Sequence, residues 1–155
     1  MVKRIVLWIA VILTSVMIFL FSASNGVESK NLSEKVTDKV VQITEEVNNN
    51  EDSKPILPYR HLHGLIRKIG HIFEFALLGV FSFLLARNYN LSFKKSMFIS
   101  LGYCLLFAVS DEIHQLFVDG RAGRAIDVAI DFCGSSIGVW IFYLKEKIEL
   151  KHTTK

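Results

Sequence analysis

The sequence predicts an all-α fold, an integral membrane helical bundle of four transmembrane helices with an extracytoplasmic amphipathic helix between the first and the second. Three observations predict it. Hydrophobic residues make up 51% of the 155 residues, and the mean hydropathy is +0.36, which is more apolar than a soluble domain of this length needs. The apolar residues occur in four runs that can each cross a hydrocarbon layer of about 30 Å. Only two prolines are present to interrupt helices.

The same composition excludes two other classes of protein. The net charge is only +3, and the basic residues lie between apolar runs rather than on one stripe, so we expect no nucleic-acid partner. Cys104 and Cys133 both lie inside apolar runs, where cysteines behave as small hydrophobes. This placement excludes a secreted disulfide scaffold.

The four runs predict a single membrane domain, residues 1–155. The first predicted span, residues 5–24, follows Lys3 and Arg4. A cleaved signal peptide is the alternative, because Ser22-Ala23-Ser24 resembles a cleavage site. The run is longer than the usual signal-peptide apolar region of about 7 to 15 residues, which favours a retained helix. The other predicted spans are residues 69–86, 96–118 and 125–144.

The first two spans are separated by a polar segment, residues 25–68, which we place outside the bilayer. Within it, apolar residues recur every three or four positions, which predicts an amphipathic helix over Ser29–Val47. We expect this helix to lie on the outer membrane surface or over the mouth of the bundle. His61 and His63 follow it, and we interpret them as interfacial polar residues because nothing at a fixed spacing joins them.

The distribution of basic residues predicts the orientation. Half of the 18 Lys and Arg residues lie in three short segments, Met1–Arg4, Arg87–Lys95 and Lys145–Lys155. Short basic segments stay in the cytoplasm, so we expect a multi-pass cell-membrane protein with both termini cytoplasmic. Two basic residues do not follow this distribution, since Arg67 and Lys68 lie at the outer end of the second span.

Ionisable residues within spans are functional candidates, because each costs about 2.5 to 3.5 kcal/mol at the centre of a membrane helix on insertion scales. Counted from the basic residue at the inner end of each span, His71, Asp111 and Asp127 lie 16, 16 and 18 residues away. At about 1.5 Å per residue they lie roughly 24 to 27 Å from the inner boundary, with Glu74 and Asp131 about 5 Å deeper. Two polar layers therefore coincide near the outer surface.

Each helix also places two polar residues on one face, at a spacing of three or four residues. The pairs are His71 with Glu74, Asp111 with Gln115, and Asp127 with Asp131. Together they predict an outward-facing pocket for a metal, a proton, or a cationic or polar headgroup. The alternative is a hydrogen-bond network that only joins the helices. The number of carboxylates favours a site.

The segment between the third and fourth spans can add to this pocket. Arg121 and Arg124 can reach the carboxylates or an anionic group above them. Further along the fourth span, Gly134, Ser135, Ser136 and Gly138 predict a close-packing face.

These motifs carry a resemblance. Residues 110–121, SDEIHQLFVDGR, are followed by Asp127-Val128 and a glycine-rich helix, and preceded by Lys68-Ile69-Gly70-His71 with Glu74 and by Phe21-Ser22 after the first span. The set is similar to the VanZ-like family of small bacterial membrane proteins and covers nearly the whole chain. The resemblance implies a four- or five-helix integral membrane protein, in a family whose namesake confers low-level resistance to the lipoglycopeptide teicoplanin.

Carried over by motif, the family positions are Lys68, His71, Glu74, Asp111, Glu112, Gln115, Arg121 and Asp127. Two positions depart from the family pattern. Asp119 stands where the family often has proline, and Asp131 where it often has asparagine. The additional carboxylate of Asp131 makes this pocket more anionic than is usual for the family.

Two functions follow as hypotheses. In the first, the pocket binds a cell-wall lipid or lipoglycopeptide headgroup and contributes to glycopeptide (teicoplanin) resistance. Its binding residues are Lys68, His71, Glu74, Asp111, Glu112, Gln115, Arg121, Asp127 and Asp131. In the second, the protein is a membrane-embedded hydrolase or transferase acting on a lipid-linked envelope substrate.

The second hypothesis requires a divalent cation. Its candidate ligands are His71, Glu74, Asp111 and Asp127, although they reproduce no known zinc spacing. The sequence has no serine elbow and no Walker loop, so it assigns no catalytic residue. A transporter is disfavoured because four spans lack an internal repeat.

Overall fold

A computed structural model describes residues 1–23, 39, 59–119, 121 and 123–153. The helices are α1 (Val2–Ala23), α2 (Tyr59–Arg87), α3 (Phe93–Gln115) and α4 (Ala125–Thr153), and the described ranges contain no strand. All four are long and apolar enough to cross a membrane. The predicted all-α bundle of four spans is thereby confirmed, whereas the predicted amphipathic helix over 29–47 lies, apart from residue 39, outside the described residues.

The helix ends differ from the predicted spans because hydropathy locates the lipid and not the ends of a helix. Helix α2 begins at Tyr59, inside the predicted outer loop, and α4 continues past its apolar part to Thr153. Helix α3, expected over 96–118, runs from Phe93 and ends at Gln115. After it, the N–H groups of Leu116, Phe117 and Val118 bond three residues back, which tightens the chain into turns.

Helix α2 is central and contacts the other three helices. Its approach to α4 depends on residues without side chains: a Cβ at Gly134 would lie 2.6 Å from the carbonyl oxygen of Ile72, and one at Gly138 would collide with the carbonyl of Ala76. A Cβ at Gly79 on α2 would in turn meet the backbone of Ser135. Gly134 and Gly138 thus form the close-packing face that the sequence predicts.

The core is a cluster of apolar side chains from three helices. Ile18 of α1, Phe75 and Leu78 of α2, and Cys104 and Ala108 of α3 are all fully buried. Many other large apolar side chains on the four helices are exposed on the outside of the bundle. This is the arrangement of a bundle whose surface is solvated by lipid, and it accounts for the apolar excess of the sequence.

The two ends of the bundle differ in charge. At the basic end, Lys3, Arg87 and Lys145 line a cavity of about 270 Å³ between α1, α2 and α4. Arg4 Nη2 donates to the backbone oxygen of Asn88 over 3.2 Å. The start of α1, the end of α2 and the later part of α4 are therefore at one end, and the predicted site lies at the other.

Candidate functional site

A polar cluster lies where the end of α1, the first membrane turns of α2, the end of α3 and the start of α4 meet. We define the polar cluster as Ser22, His71, Asp111, Gln115 and Asp131. Ser22, Asp111, Gln115 and Asp131 are buried and His71 is half-buried. Each helix of the bundle contributes at least one member.

Asp111 is the best-anchored member of the polar cluster. Its side chain is only 2% exposed. Oδ2 accepts hydrogen bonds from Ser22 Oγ at 2.7 Å and from Gln115 Nε2 at 3.0 Å. The Gln115 bond follows from the four-residue spacing on α3, which puts both side chains on one face. Oδ1 is buried and has no hydrogen-bond partner among the described residues.

Asp131 faces His71 from the opposite helix. Asp131 is 1% exposed, and its Oδ1 lies 3.6 Å from His71 Nδ1. Its Oδ2 is buried and has no hydrogen-bond partner within the described ranges. One ligand atom from each of His71, Asp111 and Asp131 lies within 4.8 Å of the others. The three helices α2, α3 and α4 therefore bring one imidazole and two carboxylates together.

Two further carboxylates form the surroundings of the polar cluster. Asp127 Oδ1 pairs with Lys68 Nζ at 3.6 Å. Glu112 Oε2 accepts a hydrogen bond of 2.7 Å from the backbone N–H of Arg124, which lies just before the first residue of α4. Glu112 thus ties the end of α3 to the positive end of the α4 dipole.

The loop after α3 is also attached to α1. Arg121 Nη2 donates to the backbone oxygen of Phe21 at 2.9 Å. Burial lowers the pKa of Arg121, and the positive charge of Arg67 lowers it further, while Asp111 and Glu112 act in the opposite direction. Gly123 closes the loop against α3, because a Cβ there would lie 2.5 Å from the carbonyl oxygen of Glu112.

A small cleft opens beside the polar cluster. Its volume is about 10 Å³, which is room for about one water molecule. The lining residues are Arg67, Lys68, His71, Glu112, Gln115, Asp127, Ile130 and Asp131. A sugar or peptide headgroup is far larger than this space, so only its edge can meet the residues at the rim.

The structure separates the predicted site residues into three groups. His71, Asp111, Gln115 and Asp131 meet in the polar cluster. Lys68, Glu112, Arg121 and Asp127 hold its rim through the contacts above. Glu74 is half-buried on α2 and belongs neither to the cleft lining nor to the three-residue group.

Ser22 is the member that sequence reasoning did not assign to the site. Its hydroxyl is fully buried and joins Asp111 to Gln115 across about 90 positions of the chain. A signal for it exists: Ser22 lies 18 residues after Arg4, the same distance that separates Asp127 from the basic end of its own helix. Counted from Arg4, Ser22 therefore lies in the same layer as Asp127.

Comparison with known proteins identifies the family of the chain. The model of the VanZ/LLP1 protein family matches residues 7–146. No curated protein and no solved structure gives a match.

Proposed function

The chain belongs to the VanZ/LLP1 family, and from that premise we propose that it is a multi-pass protein of a bacterial cell membrane that binds a headgroup at its polar end. The ligand is the polar headgroup of a cell-wall lipid or of a lipoglycopeptide, and binding contributes to glycopeptide resistance. The observation that carries the proposal is a set of carboxylates buried at one end of a membrane bundle beneath a rim of cations. Such groups are costly in a membrane protein and mark binding sites.

The charges define how a headgroup would be recognised. Arg67 and Arg124 are exposed, and the Lys68 side chain is 41% exposed beside Asp127. These cations suit a phosphate or carboxylate of the ligand. Because the cleft holds only about one water, recognition takes place at the rim, and the buried carboxylates act on the part of the ligand that reaches the cleft.

We propose that the polar end faces the outside. Lys3, Arg87 and Lys145 are together at the opposite end, and basic helix ends stay in the cytoplasm. Four spans place both termini on the same side. The proposed orientation therefore has both termini cytoplasmic and presents the rim to envelope lipids and to drugs that arrive from outside.

A susceptibility assay tests this function. The wild type, Asp111→Asn and Arg124→Gln are expressed in one bacterial host, with Lys94→Gln, exposed near the start of α3, as the matched control. We expect the wild type and Lys94→Gln to raise the inhibitory concentration of teicoplanin more than that of a glycopeptide without a lipid tail. The two polar-end variants should raise neither. The proposal is contradicted if the wild type, present in the membrane, gives the same inhibitory concentrations as empty vector. It is also contradicted if the two polar-end variants, at equal membrane abundance, match the wild type.

A second candidate function has a specific observation in its favour. The proximity of His71, Asp111 and Asp131 fits a metal-dependent hydrolase or transferase acting on a lipid-linked envelope substrate, in which a bound cation activates water or polarises a phosphate. Release of inorganic phosphate from a lipid-linked diphosphate in vesicles, with and without added divalent ions, measures this activity. Absence of turnover above a vesicle control leaves headgroup binding as the function.

A further inference from the structure

We propose that His71, Asp111 and Asp131 bind one divalent transition-metal ion of the Zn²⁺ or Mn²⁺ class. The site combines an imidazole nitrogen with two carboxylates, a ligand set that these ions accept. It differs from the set that spacing suggested, because Asp131 stands in place of Asp127 and Glu74 is absent. Binding of the ion goes beyond headgroup recognition and does not depend on it, whereas the hydrolase or transferase function requires it.

The distances are near those of a coordination sphere. Ligand atoms lie about 2.0 to 2.2 Å from such an ion, so two of them are about 3.4 Å apart in a tetrahedral site and at most about 4.4 Å apart. His71 Nδ1 and Asp131 Oδ1 are 3.6 Å apart, and all three ligand atoms lie within 4.8 Å of one another. These separations exceed the limit of a coordination sphere by at most about 0.4 Å.

Buried oxygens of Asp111 and Asp131 that are unpaired among the described residues support the site independently of the distances. Asp111 and Asp131 are 2% and 1% exposed, and each retains a buried oxygen with no hydrogen-bond partner in the described part of the chain. A network that served only to join helices would direct a donor at each of these oxygens. Here the hydroxyl of Ser22 and the amide of Gln115 both donate to the same oxygen, Asp111 Oδ2.

The charges also balance. Two ionised carboxylates without cations would be costly at this depth in a membrane. Lys68, which lines the adjacent cleft, is paired with Asp127. A divalent ion neutralises Asp111 and Asp131 together, while His71 binds it as a neutral imidazole.

The contacts around Asp111 resemble the outer support of a metal ligand. Groups that hydrogen-bond to a ligating carboxylate fix its orientation, and removing one typically lowers metal affinity about 10- to 100-fold. Ser22 and Gln115 are in this position relative to Asp111. The cleft beside His71 and Asp131 has room for about one water, which can complete the coordination of the ion.

The experiment uses the full-length protein in detergent micelles, stripped of metals with a chelator and titrated with Zn²⁺ and then Mn²⁺. We expect about one ion per chain by calorimetry and by elemental analysis after gel filtration. Asp111→Asn and Asp131→Asn should each lower the affinity by at least about 100-fold, and Ser22→Ala by about 10-fold. Asp119→Asn is the matched control, since it removes an exposed carboxylate of the loop after α3, and it should leave the affinity unchanged.

A wild-type measurement avoids dependence on the folding of variants. Bound Mn²⁺ should show magnetic coupling to a histidine nitrogen by pulsed electron paramagnetic resonance, and the coupling should disappear in His71→Gln. A helical wild type that binds neither ion stoichiometrically overturns the proposal. So does Mn²⁺ bound without nitrogen coupling, or a loss of affinity in Asp119→Asn as large as that in Asp111→Asn. None of these outcomes alters the susceptibility result, so failure of the ion site is distinguishable from failure of headgroup recognition.

Discussion

The polar end and the basic end of the bundle both carry charged groups at helix ends, but they hold them in different ways. At the polar end, Asp111 and Asp131 are buried, and each has one oxygen in polar contact and one without a partner among the described residues. At the basic end, Arg4 is exposed, bonds to the backbone of Asn88 and lies 4.2 Å above the ring of Tyr89. The polar end therefore keeps these two carboxylates away from water, whereas the basic end exposes Arg4 to it.

The difference separates two uses of charge in a membrane protein. Exposed cations beside aromatic rings suit the interface between lipid and water, where they orient the helices. Trp8, which donates to the hydroxyl of Tyr89 over 3.1 Å, belongs to the same interface. Buried carboxylates do not help orientation and cost energy, which is why we propose that they serve ligand binding. The two ends should therefore respond differently to substitution.

The largest effect is expected where the polar end depends on the close approach of α2 and α4. In Gly134→Val, the new Cβ would lie 2.6 Å from the carbonyl oxygen of Ile72, next to His71. The helices must separate, and we expect a loss of about 3 kcal/mol of stability, measured by SDS titration in micelles. Gly102→Val is the control, because nothing lies within 4 Å of a Cβ there. Equal losses in the two variants would show that the close approach has no special role.

The second effect concerns the anchoring of Asp111. Asp111→Ala removes the acceptor of Ser22 Oγ and one of the two acceptors of Gln115 Nε2, which still donates to Ser22 Oγ, and we expect a loss of about 1 to 3 kcal/mol. Asp111→Asn retains an oxygen that can accept both hydrogen bonds, so its loss should be the smaller. Both are measured by thermal unfolding in chelator, which removes any contribution of a bound ion. If Asn costs as much as Ala, the charge and not the hydrogen bonds anchors the cluster.

The smallest effect is expected at the basic end. Arg4→Gln removes an exposed guanidinium from the Tyr89 ring and from Asn88, and we expect a loss of about 0.5 kcal/mol or less. Thermal unfolding beside Asp111→Ala makes the comparison direct. A loss at Arg4 as large as that at Asp111 would contradict the distinction between the two ends.

Much of the polar layer was predictable, because depth in a membrane follows from residue counting. A helix rises about 1.5 Å per residue, and each span has a basic residue to count from. His71 and Asp111 were placed at one level in this way, and they meet in the structure. Ser22 fits the same count from Arg4, although no local pattern joins it to residues about 90 positions away.

Counting residues along the spans does not determine which carboxylate of α4 joins His71 and Asp111. Asp127 and Asp131 share one face of α4, about 6 Å apart along its axis, and either could meet His71 from its spacing. Asp131 does so, while Asp127 pairs with Lys68 one turn earlier. Which of the two carboxylates meets His71 depends on the position of α4 along the axis of α2.

The sequence by itself therefore determines the apolar runs, the charges within the spans and their common depth. The reason is that the hydrocarbon layer requires every span to be about 20 mostly apolar residues long. Only the tertiary structure decides whether Asp127 or Asp131 meets His71, because that choice depends on the rotation of α4 and on its position along α2. Backbone contact at Gly134 and Gly138 sets both. These contacts form only when α2 and α4 pack, and they bring Asp131 to His71.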